Sequence, residues 1–260
     1  MSVEESRKIT LEAVRKELDK KEMETSDMLI IPDVHGRSFW KKCVDKYMDK
    51  VDEVVFLGDY LDPYDRERIT WEQALENFGE IVALKKEHPH KVILLLGNHD
   101  LHYICDVAPS SRYNPAYAPL AGEIYTSNEA MFQLAHEREM GGKKFLFTHA
   151  GVLKGWYEKH RQSIGELSAE NLNRLMSRSL CAALDETSAY RGGYDKYGSM
   201  VWADVWEHID ANITDREIEE YCQIFGHTQQ QEGPVRQGRF GCVDCRKGFI
   251  LQKDGTLEEA

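Results

Sequence analysis

The stretch "KVILLLGNHDLHY", Lys91 to Tyr103, runs from an apolar strand-length segment (Val92 to Leu96) straight into Gly97, Asn98, His99 and Asp100. A buried strand that ends on a carboxamide, an imidazole and a carboxylate is placing polar groups where a site can form. Two upstream segments repeat the theme. "MLIIP" leads into "DVHGR", Asp33 to Arg37, and "EVVFL" leads into "GDYLD", Gly58 to Asp62. Each is followed by a helical stretch, one beginning near Ser38 and one from about Thr70. Strands alternating with helices predict βαβ units and a largely parallel sheet, an α/β fold in which ligands bind beyond the carboxyl ends of the strands.

Downstream the style changes. "MFQLAHERE" alternates apolar with polar residues, "MGGK" follows, and then "KFLFTHAG". This predicts an antiparallel hairpin with Gly141 and Gly142 in its turn, with a helix over 128–139 as the alternative. "YCQIF" runs into "GHTQQ", while "RFGCVDC" and "KGFILQ" are expected to close the fold as a β pair. Residues 105–127 and 154–199 lack clear periodicity or are mainly helical, and are expected to form walls over the site. Residues 1–25 carry the pattern of an amphipathic helix laid on the body, and nothing marks a linker, so one domain over 1–260 is the expectation.

Composition narrows the function classes. Of 260 residues, 42% are hydrophobic and 30% charged, enough for a sizeable core. The longest apolar runs are far short of the roughly 18 to 20 residues that cross a bilayer, and "MSVEESRKIT" has no apolar signal core, so a cytoplasmic protein without membrane contact is expected. A net charge of −12 argues against an extended nucleic-acid face, though not against an anionic substrate held locally. Six scattered cysteines are expected as thiols, and the CxxC of Cys242 and Cys245 reads as strand residues rather than half of a zinc site.

Five strand ends deliver potential metal ligands: Asp33 with His35, Asp59, Asn98, His149 and His227. Carboxylates, imidazoles and a carboxamide without thiolate suit Mn, Fe or Zn better than Ca. Six ligands exceed the needs of one catalytic ion. Two ions roughly 3.5 to 4 Å apart, with Asp59 as the shared carboxylate, would use them all.

"DVHG", "GDYLD", "GNHD", "THAG" and "GHT", in this order, resemble the five motifs of the calcineurin-like metallophosphoesterase superfamily, closest to its serine/threonine protein phosphatase and diadenosine tetraphosphatase branch. The likeness runs from about residue 28 to 245, and "VWADV" (Val201 to Val205) is similar to a segment of the protein phosphatases. The resemblance implies an α/β/β/α sandwich with two central mixed sheets. It makes Asp33 and His35 ligands of a first divalent ion, Asp59 the bridge, and Asn98, His149 and His227 ligands of a second, with manganese favoured. It makes His99 the proton donor to the leaving oxygen and Asp62 the carboxylate paired with it, the reaction being in-line attack on phosphorus by metal-activated hydroxide.

One departure matters. Where the protein phosphatases continue Asp-Arg-Gly, this chain has Pro63 and Tyr64 after Asp62. The arginine that grips phosphate is therefore sought among Arg191, Arg66 and Arg37. The expected substrate is a phosphate monoester, on a phosphoprotein bearing phosphoserine or phosphothreonine; the alternative is a small nucleotide, a diadenosine polyphosphate or other phosphoanhydride or diester, and a noncatalytic scaffold ranks behind both. The remaining histidines, His102 and His208 among them, are read as surface or structural, and Tyr103, Tyr113, Tyr117 and Tyr125 as packing of an irregular wall.

Overall fold

The protein is described by a computed structural model covering residues 27–177, 180–214 and 216–260. The helix expected over 1–25 lies outside the described residues. Among the described residues, eleven strands form two sheets. In the first, β1 (Met28–Ile31), β2 (Glu53–Phe56), β3 (Val92–Leu95) and β4 (Phe132–Gln133) run parallel, and β10 (Phe249–Leu251) and β11 (Leu257–Glu259) extend the β1 edge antiparallel. In the second, β5 (Ala135–Met140) pairs antiparallel with β6 (Lys143–Thr148), β6 parallel with β7 (Cys222–Phe225), β7 parallel with β9 (Phe240–Cys242), and β9 antiparallel with β8 (Val235–Gln237).

The two-residue period of a strand assigns the layers. Leu29, Ile31, Val54, Phe56, Val92 and Leu94 pack with Trp40, Val44, Phe78 and Ile81. These last four come from helices α1 (Phe39–Tyr47) and α2 (Trp71–Glu87), which cover the outer face of the first sheet. Met28, Ile30, Val55, Leu57 and Leu95 point the other way and meet Phe145, Phe147, Ile224 and Val243 between the sheets. After the short helix α3 (Asn98–Leu101) come α4 (Ala118–Ser127), α5 (Lys154–Ile164), α6 (Ala169–Asn173) and α7 (Val205–Ile213). Phe225 and Phe240 of the second sheet pack with Val205 of α7. The result is the expected α/β fold with two central mixed sheets and helices outside.

Local chemistry sets several boundaries where the sequence placed them. Ser38 and Thr70 precede α1 and α2, and Thr70 closes a capping box with Gln73. Gly141 and Gly142 have φ of 55° and 71°, the pair of left-handed residues that a two-residue hairpin between β5 and β6 requires.

Two expectations fail. The alternating "MFQLAHERE" segment is divided, because β4 joins the first sheet and β5 the second. Asn173 Oδ1 accepts from the N–H groups of Leu134 and Ala135 at 2.7 and 2.8 Å, satisfying the backbone where the chain leaves one sheet for the other. "RFGCVDC" and "KGFILQ" do not form a β pair either. The first is held in the second sheet by β7 and by β8 through the turn at Gly238, while the second pairs with β1 and β11. The six cysteines are free thiols, and no helix among the described residues is long and apolar enough to cross a membrane.

Candidate active site

Three strands of the first sheet and two of the second end at one place. The loop after β1 carries Asp33 and His35, that after β2 carries Asp59 and Asp62, and α3 after β3 carries Asn98 and His99. From the second sheet, His149 follows β6 and His227 follows β7. His35, Asp59, Asp62 and His227 all have positive φ, between 44° and 65°, a conformation that costs non-glycine residues energy and collects at functional sites. Gly97 and Gly226 are present for a different reason. A Cβ at Gly97 would lie 2.1 Å from Asp59 Oδ1, and one at Gly226 2.0 Å from Asp33 Oδ1, so only glycine lets the two carboxylates approach the backbone.

The imidazoles are oriented through their outer nitrogens. His35 Nδ1–H donates to Leu61 O and His149 Nδ1–H to Leu57 O, both at 2.8 Å. The Nε2 lone pairs therefore point inward, the arrangement that metal-ligating histidines adopt. His35 Nε2 lies 3.4 Å and His149 Nε2 3.5 Å from Asp59 Oδ2. Asn98 Oδ1 and His227 Nδ1 are each 3.1 Å from His149 Nε2. The Nε2 of His227 is buried with no hydrogen-bond partner among the described residues. Asp59 Oδ2, His149 Nε2 and Asn98 Oδ1 thus converge on one point. A cation among these converging acceptors would satisfy all of them at once, so the donor set fits divalent metal.

The electrostatics agree. Burial pushes the Asp59 carboxyl well above the usual carboxylate range, and the neighbouring charges of Asp33 and Asp100 push it further. Burial, followed by nearby cationic groups, holds His35 and His227 well below the usual imidazole range. Asp33, His35 and Asp59 form one group of converging ligand atoms, and Asp59, His149 and His227 a second. Asp59 belongs to both.

Beside this cluster, His99 Nδ1 lies 2.5 Å from Asp62 Oδ2. Burial lowers the His99 imidazole to about 4, although Asp62 pulls it upward. Burial pushes Asp62 up in turn, but the His102 and His99 rings outweigh it and leave the carboxyl below its ordinary range. His102 was read from the sequence as surface or structural; it is buried, with Nε2 3.1 Å from Asp62 Oδ2 and Nδ1 accepting from Ser110 N–H at 3.1 Å. Its spacing of three from His99 along a helical turn was the available signal. Tyr103, read as wall packing, donates its hydroxyl to Asp62 Oδ1.

The three arginines proposed as phosphate grips are differently engaged. Arg37 forms a forked pair with Glu67 at 2.7 and 3.1 Å. Arg191 meets Asp204 at 2.9 Å and also donates to His227 O and Thr228 Oγ1, so it braces the loop after β7. Arg66 donates to Gln229 in an exposed position. The arginine that reaches His99 is Arg112, with Nη2 3.2 Å from His99 Nε2. Twelve residues lie between the two, most of them irregular, so no spacing rule could join them.

Comparison with known proteins places this geometry. The Calcineurin-like phosphoesterase family model matches residues 27–230. A protein of Encephalitozoon cuniculi described as a probable serine/threonine-protein phosphatase is 28% identical over 130 residues, which is 49% of this chain and 27% of that protein. The match thus spans about a quarter of the relative's length. Among solved structures, a serine/threonine phosphatase from Saccharomyces cerevisiae superposes with a TM-score of 0.52 at 15% identity, covering 92% of this chain and 79% of the other, which is a likeness of fold. An archaeal phosphodiesterase gives a TM-score of 0.38 at 11% identity over 90% of this chain and 98% of its own. With the family match spanning all five strand ends that carry candidate ligands, the chain belongs to the calcineurin-like phosphoesterase family.

Proposed function

We propose that the protein hydrolyses a phosphate monoester, with phosphoserine or phosphothreonine in a phosphoprotein as the substrate class, using two divalent ions of which manganese is the first choice. The observation that carries this reading is the convergence of imidazole, carboxylate and carboxamide acceptors around Asp59 beside a buried histidine–carboxylate pair. Asp33, His35 and Asp59 would hold one ion and Asp59, Asn98, His149 and His227 the other. Bound there, the ions would polarise phosphoryl oxygens and make water acidic enough to attack near neutral pH.

The chain's own residues supply orientation and a proton. Leu61 O and Leu57 O fix the His35 and His149 rings so that little reorganisation is needed on binding. Asp62 fixes the His99 ring and keeps a proton on Nδ1, leaving Nε2 to face the leaving oxygen. Burial favours the neutral imidazole, so His99 would take a proton from solvent on Nε2 when the dianion of a monoester adds negative charge beside it, and pass that proton to the leaving oxygen. His102 and Tyr103 hold Asp62 in turn. Free thiols throughout the described chain suit a reducing, cytoplasmic compartment.

The test is hydrolysis of an aryl phosphate monoester beside the matching diester with Mn²⁺ supplied, Asp59→Asn serving as the blank. Monoester turnover that vanishes in the blank supports the reading and leads to phosphopeptides. Preference for the diester would replace it with the nucleotide phosphoanhydride or diester alternative.

A further inference from the structure

Arg112 is a half-buried cation with no ion-pair partner among the described residues. Its Nε donates to the backbone oxygen of Asp62 at 2.9 Å, its Nη1 to Ser111 Oγ at 3.3 Å, and its guanidinium lies 3.8 Å from the centre of the Tyr64 ring. The same tyrosine stands edge-on to His35 at 5.0 Å, so Tyr64 is a plate between the guanidinium and a candidate metal ligand. Stacking on an aromatic face holds arginine without neutralising it. Arg37 and Arg191, by contrast, have carboxylate partners.

The contact with His99 constrains the protons. A guanidinium has donors only, so at 3.2 Å Arg112 Nη2 donates and His99 Nε2 accepts. The His99 proton is then on Nδ1, facing Asp62 Oδ2. In this arrangement the nitrogen that must serve the leaving oxygen is capped by Arg112.

We propose that Arg112 is the phosphoryl-binding residue of this chain and its discriminator between monoesters and diesters: a dianionic phosphoryl group draws Nη2 off His99, and a monoanionic diester does so far less. This rests on the phosphoesterase reading of the site. A monoester presents three unesterified oxygens and two charges, a diester two oxygens and one charge, and the attraction for a fixed cation scales with the charge. Arginine matches phosphate oxygens through paired donors, and Arg112 supplies from the 105–127 segment the grip that Pro63 and Tyr64 leave out after Asp62. Its φ of 69° is a left-handed backbone conformation that non-glycine residues adopt at a cost and that collects at functional sites.

The experiment compares Mn²⁺-loaded wild type, Arg112→Ala and Arg112→Lys, with melting curves to establish that each is folded. Binding of inorganic phosphate is measured by calorimetry, and kcat and KM on the aryl monoester and diester are measured in parallel. Loss of charged hydrogen bonds predicts that Arg112→Ala weakens phosphate binding and raises monoester KM about ten- to hundredfold, while diester kcat/KM changes less than about threefold. Arg112→Lys should restore part of the phosphate affinity. Unchanged phosphate affinity in Arg112→Ala, or equal losses on monoester and diester, would overturn the assignment while leaving the phosphoesterase reading intact. A wild type that turns over neither ester and binds no phosphate would overturn both.

Discussion

Asp100 follows the proposed proton donor, yet its carboxylate points away from the chemistry. It accepts from the backbone N–H groups of Gly97, Asp59 and Tyr60 at 2.7 to 3.0 Å and from the Tyr125 hydroxyl, tying "GNHD" to "GDYLD". Asp100→Asn would present a carboxamide N–H to groups that are themselves donors. With each charged hydrogen bond worth about 1.5 to 3 kcal/mol, the variant should lose about 3 kcal/mol or more of stability, readable as a lower urea midpoint in chelator-treated protein. An unshifted midpoint would mean that the four donors find other partners. His99 makes a separable prediction. His99→Ala removes a ring held by Asp62 and Arg112 but none of the converging acceptor atoms around Asp59, so bound manganese should stay at the wild-type ratio. Turnover of a poor leaving group should drop about 10²- to 10⁴-fold, and that of a nitrophenolate much less. Loss of metal in this variant would remove the proton-donor role.

Helix α7 contributes a titration separate from the proposed proton transfer. His208 is buried against Phe225 and Phe240, donates Nε2–H to Ala150 O at 3.0 Å, and is held by burial at about 4. An unfolded imidazole takes up its proton near 6.5. Between these values the unfolded chain binds the extra proton, so stability falls as pH falls, and above about 6.5 the group contributes no pH dependence. Chelator-treated wild type should therefore lose up to about 3 kcal/mol more than His208→Gln between pH 7 and pH 4, measured by urea denaturation at each pH. Identical pH slopes would show that the His208 ring titrates normally. The sequence concealed this burial because "VWEHIDANI" offers no periodic distinction between a covered histidine and a solvated one. At the strand ends the opposite holds: an apolar run against an abrupt Gly, His or Asp is a local contrast, and Asp33, His35, Asp59, Asn98, His149 and His227 were legible from it. Pairings settled by distant chain were not. Phe240–Cys242 lies between the distant β7 and a β8 too short and polar to stand out, and Arg112 reaches His99 through an irregular segment that no period describes.

Across the whole molecule, the candidate metal centre lies where the two sheets meet, and this couples metal to global stability. Asp33, His35, Asp59 and Asn98 are carried by the first sheet, His149 and His227 by the second. The Leu57, Phe147 and Ile224 side chains close the apolar seam below them. Above the seam, buried carboxyls and imidazoles crowd together, most closely at Asp59, whose anionic form burial and its neighbours disfavour and divalent ions would favour. An ion that binds only the native arrangement stabilises it by mass action, about 2.7 kcal/mol at a free concentration one hundred times Kd. Manganese should therefore raise Tm by several degrees and chelator should reverse it. In Asp59→Asn, which removes the shared carboxyl, the chelated protein should melt at or above the chelated wild type, because a group whose ionisation burial, Asp33 and Asp100 all oppose has been replaced by a neutral amide. Its manganese-dependent rise should be largely lost. Parallel melting scans of both proteins with and without manganese check this; an equal manganese shift in the two would place the stabilising ion elsewhere and detach Asp59 from the centre.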